Sequence, residues 1–212
     1  VKDLAPITTV ADAPLVLVVA ASSKFKTLAD VVAASKAKPG DVTFATPGNG
    51  TVAHLTGELF QRAAGIKLQH IPYKGSSQAI TDLMGGTVDA MFATLTVVLP
   101  HIASGKLTAL AVANGTRVEK VPQIPTFAEG GMKNFEAATW FGLLAPASMP
   151  RPLREQISKD VRAVVAEPEL RSKLIDLGGE VVNSQPSNFD AFMQAETKKW
   201  QEVVRTSGAV AD

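Results

Sequence analysis

The chain has 212 residues, 46% of them apolar, and its 21 Lys and Arg nearly balance its 20 Asp and Glu. This composition indicates a globular protein, and neither sign of charge forms a block that would favour nucleic acid or an anionic membrane. There is no Cys and the three His are far apart in the sequence, so no disulfide, thiolate nucleophile or metal site is predicted.

The first half of the chain alternates short apolar strands with amphipathic helices. A strand over residues 15–20 precedes a helix that Thr27 and Asp30 open with capping-box spacing. Pro39 and Gly40 end that helix. The same pattern predicts later strands at residues 41–46, 68–72, 88–93 and 107–114. This order predicts parallel strands joined by right-handed crossovers, with every strand-to-helix loop at one edge of the sheet.

The sequence ATPGNGT, residues 45–51, joins the strand at 41–46 to the next helix. Pro47, Gly48 and Gly50 indicate either a tight turn or a place where a ligand approaches the backbone closely. A phosphate-binding loop would need Lys and Ser or Thr after its last Gly, and a dinucleotide-binding loop would need a third Gly. Neither pattern is present, so no nucleotide and no other cofactor is predicted.

A carboxylate suits this loop better than a nucleotide does. Helix N-termini at the carboxyl edge of a parallel sheet attract anions through exposed N–H groups and the helix dipole, each helix end contributing about 0.3–1 kcal/mol. Gly48 and Gly50 would let a carboxylate approach these groups. Neutral side-chain donors would come from Thr46, Asn49 and Thr51. The loop by itself is therefore consistent with anion binding without a cation, or with a structural turn.

The last third of the chain has a different pattern. A long apolar run at residues 135–150, which includes Trp140, leads into three helical segments. Strands in this region can come only from residues 7–10, 140–145 and 180–182. Because the helices need a sheet to pack against, the sequence predicts a second lobe that is incomplete.

Several segments together resemble the tripartite tricarboxylate transporter receptor family, also called Bug proteins. They are ATPGNGTVAHLTGELF, IPYKGSSQAITDLMGGTVDAMF, LPHIASGKLTALAVA, VPQIPTFAEGG and TWFGLLAPASMPRP. The resemblance implies a type II periplasmic-binding-protein fold, in which two α/β lobes joined by hinge strands close on a small mono- or dicarboxylate. It also implies a periplasmic location, delivery of the ligand to membrane transporter subunits, and no enzymatic activity.

The chain departs from this family at its N-terminal side. Family members begin with a signal peptide, a strand and a Pro/Gly-rich loop, and no such segments are found here. The resemblance therefore assigns residues 1–14 and 137–212 to an incomplete lobe 1, and residues 15–136 to lobe 2. Unpaired strand edges in lobe 1 would favour a dimer or a strand swap. A shortened receptor that no longer binds ligand is an open alternative.

The resemblance also assigns site residues. The family's second carboxylate-binding loop falls on Thr46, Gly48, Asn49, Gly50, Thr51 and Val52. His54 matches the His of that motif and is expected to support the loop, whereas Tyr73 in the next strand-to-helix loop is expected to line the cleft.

Three more positions follow from the family pattern. Asp89 is expected to form buried hydrogen bonds that support the site. Ala93 and then Thr94 stand where many members have Asp or Asn, so the identity of the ligand cannot be inferred from that of a relative. Trp140 is expected either to line the cleft or to be an ordinary core residue.

Two other classes of function are weighed against the receptor. The cytoplasmic effector-binding domain of LysR-type regulators has a similar architecture, but it follows a helix-turn-helix that is not found here. A hydrolase could draw on Ser76, Ser77, His54, His70 and Asp89. The sequence has no G-x-S-x-G elbow, so an enzyme is not predicted.

Overall fold

Two strands pass through both of the units into which the chain divides. The structure, a computed structural model, describes residues 3–210. Unit 1 contains the segment up to Ala13 together with Trp140–Glu202, and unit 2 contains Pro14–Thr139 together with the segment from Val203. The internal boundaries lie one and three residues from those expected, and the last segment groups with unit 2. Residues 1, 2, 211 and 212 of the expected lobes lie outside the described residues.

Unit 2 is built from alternating strands and helices. Its elements in chain order are the second part of β1 (Leu4–Ala20), α1 (Leu28–Ala37), β2 (Thr43–Thr46), α2 (Val52–Ala64), β3 (Gln69–Pro72), α3 (Ser76–Met84), β4 (Ala90–Thr94), α4 (Leu95–Ala103) and β5 (Leu107–Val112). The strands form a sheet in the order β3-β2-β4-β1-β5.

The direction of β1 corrects the prediction of an all-parallel sheet. β2 is parallel to β3 and to β4, as predicted. β1 is antiparallel to both of its neighbours, with Leu15 opposite Thr94 and Val16 opposite Val112. The sequence could not reveal this because a strand buried on both faces reads as a continuous apolar run in either direction. Residues 15–19 are fully buried.

Unit 1 contains the remaining elements. They are the first part of β1, most of β6 (Ala138–Pro146), α5 (Arg151–Val165), α6 (Pro168–Asp176), β7 (Glu180–Val181) and most of α7 (Pro186–Ser207). Both β6 and β7 pair with β1. The strands expected at residues 7–10 and 15–20 both lie within β1, which is one continuous strand. None of the helices between residues 3 and 210 is long and apolar enough to cross a membrane.

Local capping explains where the helices of unit 2 begin and end. The Thr27 side chain accepts the Asp30 N–H, and the Asp30 carboxylate accepts the Thr27 N–H at 2.8 Å, which confirms the capping box. At the C-terminal end of α2, Gly65 adopts a left-handed conformation with φ +61° and terminates the helix.

Stacked and edge-to-face aromatic rings fill the core of unit 2. Phe44 from β2 and Phe92 from β4 lie edge to face at 6.0 Å, and Phe60 from α2 extends the cluster. The Phe44 ring also contacts Gly57 on α2: a Cβ added to Gly57 would lie 2.3 Å from Phe44 Cε2. Gly57 therefore allows α2 to approach β2 closely.

This close approach predicts that Gly57→Ala destabilises the chain by about 1–3 kcal/mol, since the fully buried Phe44 has little room to move. Gly85→Ala is the matched control, because Gly85 has right-handed helical geometry and its nearest atom would be Thr81 O at 3.5 Å. We expect the control to change the free energy of unfolding by less than about 0.5 kcal/mol in urea denaturation. Equal losses in the two variants would contradict the packing argument.

Candidate functional site

The loop between β2 and α2 has the backbone geometry that its glycines suggest. Gly50 adopts φ +69°, which L side chains rarely take. Gly48 has φ +155°, and a Cβ there would make only an ordinary contact, 3.4 Å from the carbonyl oxygen of Tyr73. The backbone conformation, and not the space around it, therefore favours glycine at this position.

Two backbone hydrogen bonds join this loop to the next strand-to-helix loop. The Tyr73 N–H donates to Thr46 O at 3.0 Å, and the Gly75 N–H donates to Pro47 O at 2.9 Å. Because β2 and β3 are parallel, both loops lie at the carboxyl end of their strands. The structure therefore brings together the two loops that the sequence singled out.

The start of α2 has some amides that the protein uses and some that it does not. The Gly50 N–H donates to His54 Nδ1 at 3.1 Å, and the His54 N–H donates to Thr51 Oγ1 at 3.3 Å. Within residues 3–210, the amides of Thr51, Val52 and Ala53 have no protein acceptor. Thr51 and Val52 are partly exposed. Unpaired N–H groups of a helix N-terminus can hold an anion.

Side chains behind the loop hold it in place. Thr51 Oγ1 donates to Gly48 O at 2.8 Å, and Thr46 Oγ1 lies 2.6 Å from His70 Nε2. The His54 and His70 rings stack with centroids 3.9 Å apart. Asn49 also has a polar partner within the protein. His70, which sequence reasoning considered only for a hydrolase, is thus part of the loop's support, and no local motif revealed this.

Thr94 lies at the carboxyl end of β4, which is parallel to β2. Its hydroxyl oxygen is 3.2 Å from that of Thr139, a residue that sequence reasoning missed. Thr94 is also the N-cap of α4, but its side chain makes no capping hydrogen bond. This pair of hydroxyls, one of which donates to the other, therefore lies at the same edge of the sheet as the loop of residues 47–51, which we call the glycine loop.

Asp89 and Tyr73 make defined contacts. Asp89 Oδ2 accepts the Thr43 N–H at 2.9 Å and the Thr43 hydroxyl at 3.0 Å. Thr43 is the first residue of β2, so Asp89 acts at the opposite end of that strand from the loop. The Tyr73 hydroxyl donates to Asp82 at 2.8 Å, and burial together with Asp82 raises the pKa of Tyr73. Asp89 and His54 thus have different partners and do not form a Ser–His–Asp triad.

Trp140 belongs to unit 1. Its ring lies edge to face with Phe189 at 5.6 Å and with Phe192 at 5.9 Å, both on α7. These contacts correspond to the core-packing role that the sequence left open for Trp140.

Unit 1 also has a polar cavity of about 400 Å³. Burial, with Glu180 and Glu196 nearby, raises the pKa of the Asp12 carboxyl in this cavity to about 6. The other side chains that line it are neutral: Thr9, Val182, Asn183, Ser184, Gln185, Asn188 and Phe192. An acidic cavity disfavours an anionic ligand, so the glycine loop is the better candidate for a carboxylate.

Comparison with known proteins identifies similar chains. Residues 1–209 match the family model described as tripartite tricarboxylate transporter family receptor. BugT of Bordetella pertussis is 36% identical over 208 residues, which cover 98% of this chain and 64% of BugT. The chain spans 61–64% of the length of six curated relatives that it matches.

Solved structures share the fold. A protein of R. palustris with adipate is 28% identical with a TM-score of 0.86, and the match covers 98% of this chain and 70% of that one. MatC of Rhodopseudomonas palustris with bound malate is 25% identical with a TM-score of 0.81, and the match covers 95% of this chain and 69% of MatC. These similarities confirm the predicted periplasmic-binding-protein class of α/β fold.

The support around Thr51 gives a stability prediction. Thr51→Val keeps the shape of the side chain but removes the hydroxyl that bonds His54 N–H and Gly48 O. We expect it to lower the free energy of unfolding by about 1 kcal/mol, which is typical of a lost N-cap. Thr51→Ser, which keeps the hydroxyl, is the control and should retain most of the stability in chemical denaturation. A loss as large in Ser as in Val would show that the hydroxyl is not responsible.

Proposed function

Because the chain belongs to the tripartite tricarboxylate transporter receptor family, we propose that it is part of an extracytoplasmic solute-binding receptor for a small carboxylate. The observation that carries this proposal is the row of amides at Thr51, Val52 and Ala53, which have no acceptor within the described chain. A ligand carboxylate would accept hydrogen bonds from these amides. Thr46, Gly48, Asn49 and Gly50 would shape the loop around it.

Amide donors suit a receptor that must release its ligand. The helix N-terminus provides a partial positive charge without a Lys or Arg side chain. A neutral donor set avoids the cost of burying a full charge and leaves the ligand's affinity moderate. Such a site binds a ligand without transforming it, in agreement with the solute-binding role of the family.

We infer that the ligand is a dicarboxylate. The similar structures with adipate and with malate both contain a dicarboxylate. In this chain, the hydroxyls of Thr94 and Thr139 lie at the same sheet edge as the amides, and because they bond each other the pair offers one free O–H donor to a second polar group. Tyr73, whose hydroxyl is used by Asp82, would contribute its ring to the wall of the site.

The proposed setting follows from the family. Receptors of this family are periplasmic, and we propose the same location for this chain. The proposed partners are the membrane subunits of a tripartite tricarboxylate-type transporter, which would take over the ligand. The family match extends over nearly the whole chain, and this disfavours the LysR-type alternative.

Ligand binding is tested by titrating adipate and malate into the ¹⁵N-labelled chain and following its amide resonances. We expect saturable shifts at Thr51, Val52 and Ala53. Gly50→Val should weaken binding by at least about tenfold, since a β-branched residue cannot adopt φ +69° without strain and would move the amides.

Gly65→Val is the matched control for this titration. Gly65 has a similar φ of +61°, and a Cβ there would contact nothing within 4 Å. It therefore introduces similar backbone strain away from the loop, and binding should persist. Absence of any saturable shift in the wild-type chain would refute the receptor proposal, as would equal losses in the two variants.

We further propose that this chain self-associates, as a dimer or a strand swap, through unit 1. Phe141 and Leu143 alternate along β6, and they are 54% and 42% exposed. Exposed apolar side chains that share one face of a strand favour association with another apolar surface.

Light scattering during size-exclusion chromatography tests this association. We expect a mass above the 22.2 kDa of one chain, increasing with concentration. Phe141→Ser with Leu143→Ser should shift the mass towards that of the monomer, because it removes the apolar face. Val97→Ser, at a residue of unit 2 that is 41% exposed, is the control and should leave the mass unchanged. A strictly monomeric wild-type chain would contradict the proposal.

A further inference from the structure

Two histidines that do not touch the proposed ligand directly form one stack next to the glycine loop. The rings of His54 on α2 and His70 on β3 are nearly parallel, with an interplanar angle of 11°. Phe44 stacks on His70 at 4.9 Å, and His54 is only 8% exposed. The position of each ring is therefore fixed by packing.

Hydrogen bonding defines which nitrogen of His54 carries the proton. His54 Nδ1 accepts the Gly50 N–H, so Nδ1 is unprotonated and the proton is on Nε2. Nε2 lies 3.7 Å from Glu58 Oε1, which also accepts a hydrogen bond from Gln61. The Leu68 N–H in turn donates to Gln61 at 2.7 Å. The neutral Nε2–H form of His54 is thus the form that the surroundings accommodate.

His70 holds the other end of the loop. Its Nε2 lies 2.6 Å from Thr46 Oγ1, and that hydroxyl is also within hydrogen-bonding distance of Gly48 O. His70 Nε2 and Thr46 Oγ1 share one hydrogen bond, in which the donor depends on the tautomer of His70. The two stacked rings thus contact both ends of the loop. His54 accepts the Gly50 N–H directly, and His70 contacts Thr46, which bonds Gly48.

We propose that His54 and His70 are positioning residues, which hold the loop in its ligand-binding form only while His54 is uncharged, so that ligand affinity falls on acidification. This inference rests on the proposed carboxylate-binding function. A second proton on His54 Nδ1 would face the Gly50 N–H across 3.1 Å, and two donors cannot bond each other. The Gly50 amide, and with it the start of α2, would have to move.

Among the described contacts of residues 3–210, His54 faces His70 from β3 and Glu58 from its own helix, and both histidines have a further interaction within the protein. A charge on both stacked rings would be repulsive, which opposes double protonation. Burial raises the pKa of the Glu58 carboxyl, which lies 3.7 Å from His54 Nε2.

Asn and Gln substitutions separate the two nitrogens of His54. In His54→Asn, the side-chain oxygen lies near the position of Nδ1, where it accepts the Gly50 N–H but does not titrate. In His54→Gln, the amide reaches towards Glu58 instead, and Gly50 loses its acceptor. His101→Asn, on α4, controls for the loss of a histidine elsewhere.

Adipate affinity is measured at about pH 7.5 and about pH 5.5, the range in which imidazole changes its charge. We expect the wild type and His101→Asn to lose about tenfold in affinity at the lower pH. His54→Asn should bind adipate somewhat more weakly than the wild type. Its affinity should change less than about twofold between the two pH values, once the change due to adipate's own ionisation is subtracted. His54→Gln should bind weakly at both pH values. An equal pH dependence in His54→Asn and the wild type would overturn the proposal.

A second measurement needs no ligand and separates this inference from the receptor function. The ¹⁵N chemical shifts of the imidazole rings should show His54 in its Nε2–H form, and the Gly50 amide shift should follow its titration in the wild type but not in His54→Asn. A Nδ1–H form, or a Gly50 amide that does not respond, would overturn the positioning role. Failure to bind adipate or malate at about pH 7.5, with these shifts as expected, would refute the receptor proposal alone.

Discussion

The parallel pairing of β2 with β3 and β4 is the constraint on which the candidate site depends. It places the carboxyl ends of three strands at one edge: β2 ends at Thr46, β3 ends at Pro72 just before Tyr73, and β4 ends at Thr94. No single one of these strand ends contains enough hydrogen-bond donors to recognise a ligand that has both a carboxylate and a second polar group. The sheet register therefore brings together short segments that are far apart in the sequence, and these segments jointly form the candidate site.

One glycine of unit 2 serves the protein's own packing and not a ligand. Gly57 admits the ring of Phe44. Phe44 then stacks on His70, which bonds Thr46 at the start of the loop. Core packing and loop position are linked through this chain of contacts. A substitution at the α2–β2 contact would consequently affect both the stability of the fold and the geometry of the loop.

The sequence predicted those features that short-range interactions determine. The capping box at Thr27 and Asp30 and the end of α1 before Pro39 and Gly40 each depend on residues within about one helical turn, and both are present. The antiparallel direction of β1 was missed because burial on both faces removes the alternation that distinguishes sheet types. The stack of His54 on His70 was also missed, since it depends on how α2 packs against β3 and no local pattern encodes that contact.

The two units differ in what they could bind. Unit 2 offers amides and a pair of hydroxyls at the sheet edge, with two stacked histidines behind the glycine loop, and this set suits the proposed carboxylate ligand. The polar cavity of unit 1 contains Asp12, and burial with Glu180 and Glu196 nearby raises the pKa of its carboxyl to about 6, so that it is mostly ionised at neutral pH and repels an anionic ligand. Charge therefore favours the glycine loop as the site for an anion. Hydrogen-bond donors that have no acceptor among residues 3–210, and not the volume of a cavity, identify the better candidate site for an anionic ligand.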